Sequence, residues 1–274
     1  MQSTNPIFTR SQQFTQSAPQ YQQQYGQPGQ YGAPQYGAPA PYEAPAQPTQ
    51  GVMTLDDVIT KTAITIGALV VAAAITFMFL PMQFLYPALI VSGIVGFVSV
   101  LFVSLRRVVN PAFVLLYSAI EGVFIGAFTL LFATMFGFGI VTQAVLGTFV
   151  AAGATLAAYK FLRIKVTSRF RKIVTLSTFA FLGLVLVNLG FALAGIDLGL
   201  RTIGGGFNLL AVGISLVAIV LAVLNLIMDF DFIEQGIRNR LPASESWRAA
   251  LGLTVTMVWL YTELLRILSY FRSN

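Results

Sequence analysis

The chain has 274 residues, 56% of them apolar and only 9% charged, with sixteen Lys and Arg against ten Asp and Glu for a net charge of +6. A soluble domain carries about 25% charged residues, so an ordinary soluble enzyme is excluded. The lack of His and Cys also excludes imidazole bases, thiol nucleophiles, disulfides and the usual nitrogen or sulfur zinc sites.

The basic excess does not form a nucleic-acid footprint. It falls in short gaps between long apolar runs, the pattern of a membrane protein obeying the positive-inside rule. Residues 1–50 are different material, rich in Gln, Tyr, Gly, Pro and Ala, with Arg10 and Glu43 as their charges and a Tyr-Gly repeat from Tyr25 to Gly37. Such a composition cannot repay the entropy of ordering, and a disordered cytoplasmic tail is expected. It serves as a spacer, or as a surface for weak self-association or a partner. Its start, MQSTNPIFTRS, lacks the apolar core of a signal peptide. The membrane domain is expected over 51–274. Thr54 or Asp56 is placed to cap its first helix, and Asp56 and Asp57 to complement that helix's positive end.

A spanning helix needs about 20 largely apolar residues. Seven runs meet that need: 62–80, 87–104, 112–136, 139–159, 173–195, 208–228 with a continuation to about 235, and 250–271. Pro81 stops the first and Pro111 precedes the third. Only Gly137 and Phe138 separate the third from the fourth, which must form a tight pair. An all-α seven-helix transmembrane bundle, a multi-pass protein of a cell membrane, is therefore expected. Gly122 and Gly126 form a GxxxG pair suited to close helix packing. Gly204, Gly205 and Gly206 have neither the strand nor the Lys-Ser/Thr of a phosphate loop and read as an outer loop.

The gaps orient the bundle. Arg106 and Arg107 lie between the second and third runs. Lys160, Arg163, Lys165, Arg169, Arg171 and Lys172 follow the fourth, and Arg238, Arg240 and Arg248 follow the sixth. The other gaps contain only Arg201. This bias puts the N-terminus in the cytoplasm and the C-terminus outside.

The informative residues are the acids within or against apolar runs: Glu121, Asp229, Asp231 and Glu263, with Glu234 following. A charge in hydrocarbon must be paired, protonated or turned to a polar cavity. Glu263 lies about 20 Å along the seventh run, with Arg266 three residues on and roughly on the same face. It is either half of an internal ion pair or a titratable gate. Asp229 and Asp231 do not share a helix face, so at most one points to the bundle centre; Asp229 is favoured, and Asp231 and Glu234 suit a cytoplasmic surface. If Asp229 and Glu263 approach across helices, their like charges let them share one proton near neutrality. Deprotonation would then open the pair, and its oxygens would suit a hard cation such as Ca²⁺. Glu121 lines the same cavity or pairs with Arg106 or Arg107, which otherwise serve only as the basic flank.

Four segments together carry a family resemblance: MTLDDVITKT at 53–62, NPAFVLLYSAIEGVFIG at 110–126, NLIMDFDFIEQGI at 225–237 and WLYTELLRIL at 259–268. On them the chain, over about 53–271, resembles the bacterial, YccA-like branch of the Bax inhibitor-1 superfamily. The resemblance implies a seven-helix bundle with its last helix near the centre and a pH-sensitive Ca²⁺ leak. It also implies a pH sensor made of two aspartates on the last two helices, which match Asp229 and, with Glu replacing Asp, Glu263. The family's arginine latch on the second helix has no counterpart within 87–104, and Arg106 or Arg107 is a loose substitute.

The leading expectation is a pH-sensitive calcium or cation leak channel gated by Asp229 and Glu263, with Glu121, Asp231, Arg266, Arg106 and Arg107 as accessories. One alternative is a non-conducting regulator that binds a membrane protease or another membrane partner. The other is a proton-coupled transporter, for which no inverted repeat is visible. No catalytic set, cofactor or nucleic-acid partner is expected. The bilayer is the obligate surrounding, and calcium or a proton is the permeant or regulatory ion.

Overall fold

The computed structural model describes residues 51–106, 108–201 and 208–272. The expected tail at 1–50, Arg107 and the triple glycine at 204–206 lie outside the described residues. Seven helices follow in order: α1 Leu55–Phe79, α2 Leu85–Ser104, α3 Pro111–Phe136, α4 Gly139–Phe161, α5 Ser168–Leu193, α6 Leu209–Arg238 and α7 Glu245–Arg272. A 3₁₀ turn at Met82–Phe84 leads into α2. All seven are long and apolar enough to cross a membrane. The protein is an all-α, multi-pass integral membrane protein. Among the described residues the only bridge of β type joins Val52 to Pro242.

Several helices run past their apolar stretches. α1 begins at Leu55 rather than 62, α5 at Ser168 rather than 173 and α7 at Glu245 rather than 250. α6 continues to Arg238, so Asp229, Asp231 and Glu234 are all helical. The cause is capping and continued backbone hydrogen bonding, which do not require apolar side chains once the helix leaves hydrocarbon. The Thr54 hydroxyl accepts from the Asp57 N–H at 3.2 Å and caps α1. Thr167 does the same for Phe170 at the start of α5, and Asn110 caps α3 with Pro111 in its first turn.

α7 packs against α1, α3, α4 and α6 and so occupies the middle of the bundle. Its buried positions include Ala250, Thr254, Leu260, Glu263 and Ser269. α1 lies on α3 through small residues. A Cβ added at Gly122 would stand 2.5 Å from the Leu69 carbonyl oxygen, and one at Gly126 2.5 Å from that of Ala73. The GxxxG pair is therefore what lets the α1 backbone approach α3. α5 is held by α6, where Phe181 packs with Ala218 and Leu221 and stacks on Trp259 of α7.

The two ends are tied by backbone contacts. At the end carrying the basic loops, the Met53 N–H donates to the Leu241 carbonyl at 2.7 Å and the Ala243 N–H to that of Gly51 at 2.7 Å. Lys61 donates to the Asp57 carboxylate and to the Ala243 carbonyl. Arg248 of α7 donates to the Arg106 carbonyl at 3.0 Å. At the opposite end Arg272 donates to the Phe136 carbonyl at 3.0 Å and to Gln143 at 3.3 Å.

Candidate functional site

Asp229 and Asp231 are two residues apart on α6, a rotation of about 200°, and they face different helices. Asp229 faces α7: the Thr256 hydroxyl donates to its Oδ2 at 2.7 Å. The approach depends on Gly252, one turn earlier on α7, where an added Cβ would lie 3.2 Å from Asp229 Oδ1. Among the described residues Asp229 has no cationic partner.

Asp231 faces α5. Its Oδ2 accepts from Arg171 at 2.8 Å and from Gln235 at 2.6 Å. It is buried rather than a surface acid, because the start of α5 covers it. Glu234 remains exposed, accepting from Tyr159 at 2.7 Å and from Arg238.

Glu121 lies on α3 against α2, where an added Cβ at Gly96 would meet its Oε2 at 2.7 Å. One turn before it, Tyr117 packs with Leu251 of α7. Two turns beyond it, Thr129 shares a 2.8 Å hydrogen bond with Tyr261 of α7. Glu121 is thus level with the Gly252–Thr256 stretch that receives Asp229. Two carboxylates stand at one depth, presented by α3 and α6, and α7 runs between those helices. Arg106 does not reach Glu121: its guanidinium lies over the rings of Phe102 and Phe113, at 4.2 and 4.7 Å. The aromatic faces at the helix ends attract it where no carboxylate is near.

Glu263 has other company. It is 1% exposed and accepts from Arg201, which comes from the α5–α6 connection. Arg266 Nε lies 3.7 Å from its second oxygen, and Arg266 Nη1 donates to the Arg201 carbonyl at 3.0 Å. The Arg201 guanidinium also lies 5.3 Å from the Phe181 ring centre. Two cations thus surround one anion and leave a net positive charge at this end of the bundle. Arg201 Nη1 and Arg266 Nε are buried without a hydrogen-bond partner.

The expected Asp229–Glu263 pair is not formed in this structure. Asp229 meets α7 at Thr256, seven residues from Glu263 and about 10 Å along the axis, and each carboxylate is bound to different groups. The physical reason is Glu263's demand for a counter-ion in a buried place, which Arg201 supplies from a connection distant in sequence. Sequence reasoning used Arg201 only to orient the bundle. Its being the sole basic residue in its gap, opposite a buried acid, was the available signal. Thr256 and Arg171 gave no comparable signal.

Among the described residues no three acidic side chains gather where a metal ion could be held. Sequence comparison supplies the family. A family model described as Bax inhibitor 1 like matches residues 5–273. The match reaches well into the N-terminal segment, beyond the 53–271 stretch on which the resemblance was read. No curated protein matches the chain.

Proposed function

Taking as premise that the chain belongs to the Bax inhibitor 1 like family, we propose that it is a pH-responsive cation leak, calcium being the cation, with Asp229 as its gate. The bundle sits in a bacterial cell membrane with its basic end in the cytoplasm, as the loop charges favour. The observation that carries this reading is the half-buried Asp229 carboxylate, turned to α7 with one hydroxyl donor and no cationic partner among the described residues. A lone acid at such a depth marks an ion or proton path by default.

Glu121, level with Asp229 from α3, is the second carboxylate of that path. When Asp229 is protonated, the level carries less negative charge and does not draw a cation in. When it is ionised, its free oxygen is a hard ligand for one. Flux therefore rises with pH. Glu263 takes a different part from the one expected of it. Held by Arg201 and Arg266, it forms a positively charged barrier at the far end of the path rather than half of the sensor.

The test is Ca²⁺ flux into proteoliposomes across a pH series. Asp229→Asn is expected to abolish the pH dependence, and Glu121→Gln to lower the flux while keeping it. Flux whose pH profile is unchanged in both variants overturns the gate. Absence of flux from the wild-type protein would favour a non-conducting partner of another membrane protein.

A further inference from the structure

α5 and α6 are fastened where Phe181 packs on Ala218 and where Asn225 donates to the Thr178 hydroxyl at 2.8 Å. Toward the basic end a cleft of about 630 Å³ lies along α5, with Gln235 of α6 on its other side. Its only cross-tie among the described residues is the Arg171–Asp231 ion pair. The cleft plays no part in the Asp229 level, and its content is independent of the leak reading.

The lining changes along its length. Ser168, Arg171 and Lys172 stand at the end of the bundle, with Gln235 of α6 opposite. Thr175 follows one turn in, and then Leu176 and Phe179, which are 68% and 65% exposed. From Ser168 to Phe179 the helix rises about 16 Å. Cations and hydroxyls thus occupy the depth where lipid headgroups lie, and bare apolar side chains the depth where acyl chains begin.

The cations are arranged rather than merely present. Arg171 is anchored to Asp231 Oδ2, which Gln235 also holds. One edge of its guanidinium is thereby fixed, and its other N–H groups stay available, the side chain being 53% exposed. Lys172 makes no ion pair among the described residues. A guanidinium fork beside a free ammonium is chemistry suited to a phosphodiester.

We propose that the cleft between α5 and α6 is a binding site for an anionic phospholipid, its phosphate on Arg171 and Lys172 and an acyl chain along Leu176 and Phe179. The graded lining selects a lipid over a free phosphate ester, because half of the cleft would otherwise face no suitable partner. Asp231 becomes a positioning residue that sets Arg171.

The test uses the full chain in neutral detergent, with bound lipid counted by native mass spectrometry after addition of phosphatidylglycerol or phosphatidylcholine. The wild type is expected to retain phosphatidylglycerol preferentially. R171Q/K172Q should weaken that retention by about 25-fold, since each basic residue near an anionic surface contributes about fivefold. R163Q/K165Q removes the same charge outside the cleft and should weaken retention far less than R171Q/K172Q does. L176A/F179A should weaken it with no change of charge. Equal losses in the two charge variants would reduce the effect to general surface attraction and overturn the site. So would equal retention of phosphatidylcholine, or full displacement by glycerol phosphate. Should R171Q/K172Q fail to fold, K172Q alone carries the same comparison, because it breaks no ion pair.

Discussion

Around Glu263, near the far end of α7, the acid is buried against two guanidiniums, Arg201 and Arg266. Two turns back, at Thr256, α7 meets an acid from α6 that receives one hydroxyl. The two acids lie on neighbouring, contacting helices, yet their surroundings differ in kind. A carboxylate held by two cations is a fastener, since losing its charge leaves like charges buried together. A carboxylate held by a hydroxyl can gain or lose a proton while its neighbours stay in place.

The largest expected effect tests this contrast directly. Glu263→Gln leaves Arg201 and Arg266 facing each other and should destabilise the fold by about 3–5 kcal/mol. Asp229→Asn keeps an acceptor for Thr256 and should cost less than about 1 kcal/mol. Thermal unfolding of both variants in the same detergent checks the difference. Comparable losses would show that the two acids are not distinct in kind.

A smaller effect sharpens the picture at the Asp229 level. Thr256→Val removes the one hydrogen bond to Asp229 and should cost about 1.5–3 kcal/mol where the acid is charged, read by the same melts. A loss as large as that of Glu263→Gln would mean that Thr256 supports the bundle itself. Gly252→Ala brings a methyl to 3.2 Å from Asp229 Oδ1. The required shift is a few tenths of an ångström, so stability should fall by less than about 1 kcal/mol. The same variant should alter Ca²⁺ flux, because the methyl takes space beside the free carboxylate oxygen. The smallest effect is expected on the surface, where Arg238→Gln breaks the exposed Arg238–Glu234 pair and should change stability by less than about 0.5 kcal/mol.

Much of the architecture was legible in residue order. Pro81, the Gly137–Phe138 link and Pro111 separate runs long enough to span, and run length is a local property that hydrocarbon thickness enforces. The helix ends were less legible: α5 and α7 each begin five residues before their apolar runs. A helix that makes its own backbone hydrogen bonds continues through Arg169 or Arg248 without needing an apolar residue at each step.

The site divides along the same line. The sequence by itself determined which acids had to be accounted for, since so few charges stand within the runs and none can be left alone in hydrocarbon. It also determined the basic and non-basic ends of the bundle. Only the tertiary structure decided which group answers each acid. The rotation of α6 sends Asp229 to Thr256 and Asp231 to Arg171. The course of the α5–α6 connection brings Arg201 back to Glu263. Hydrophobic length is written one residue at a time, whereas a counter-ion is chosen by the relative rotation and register of helices far apart in the chain.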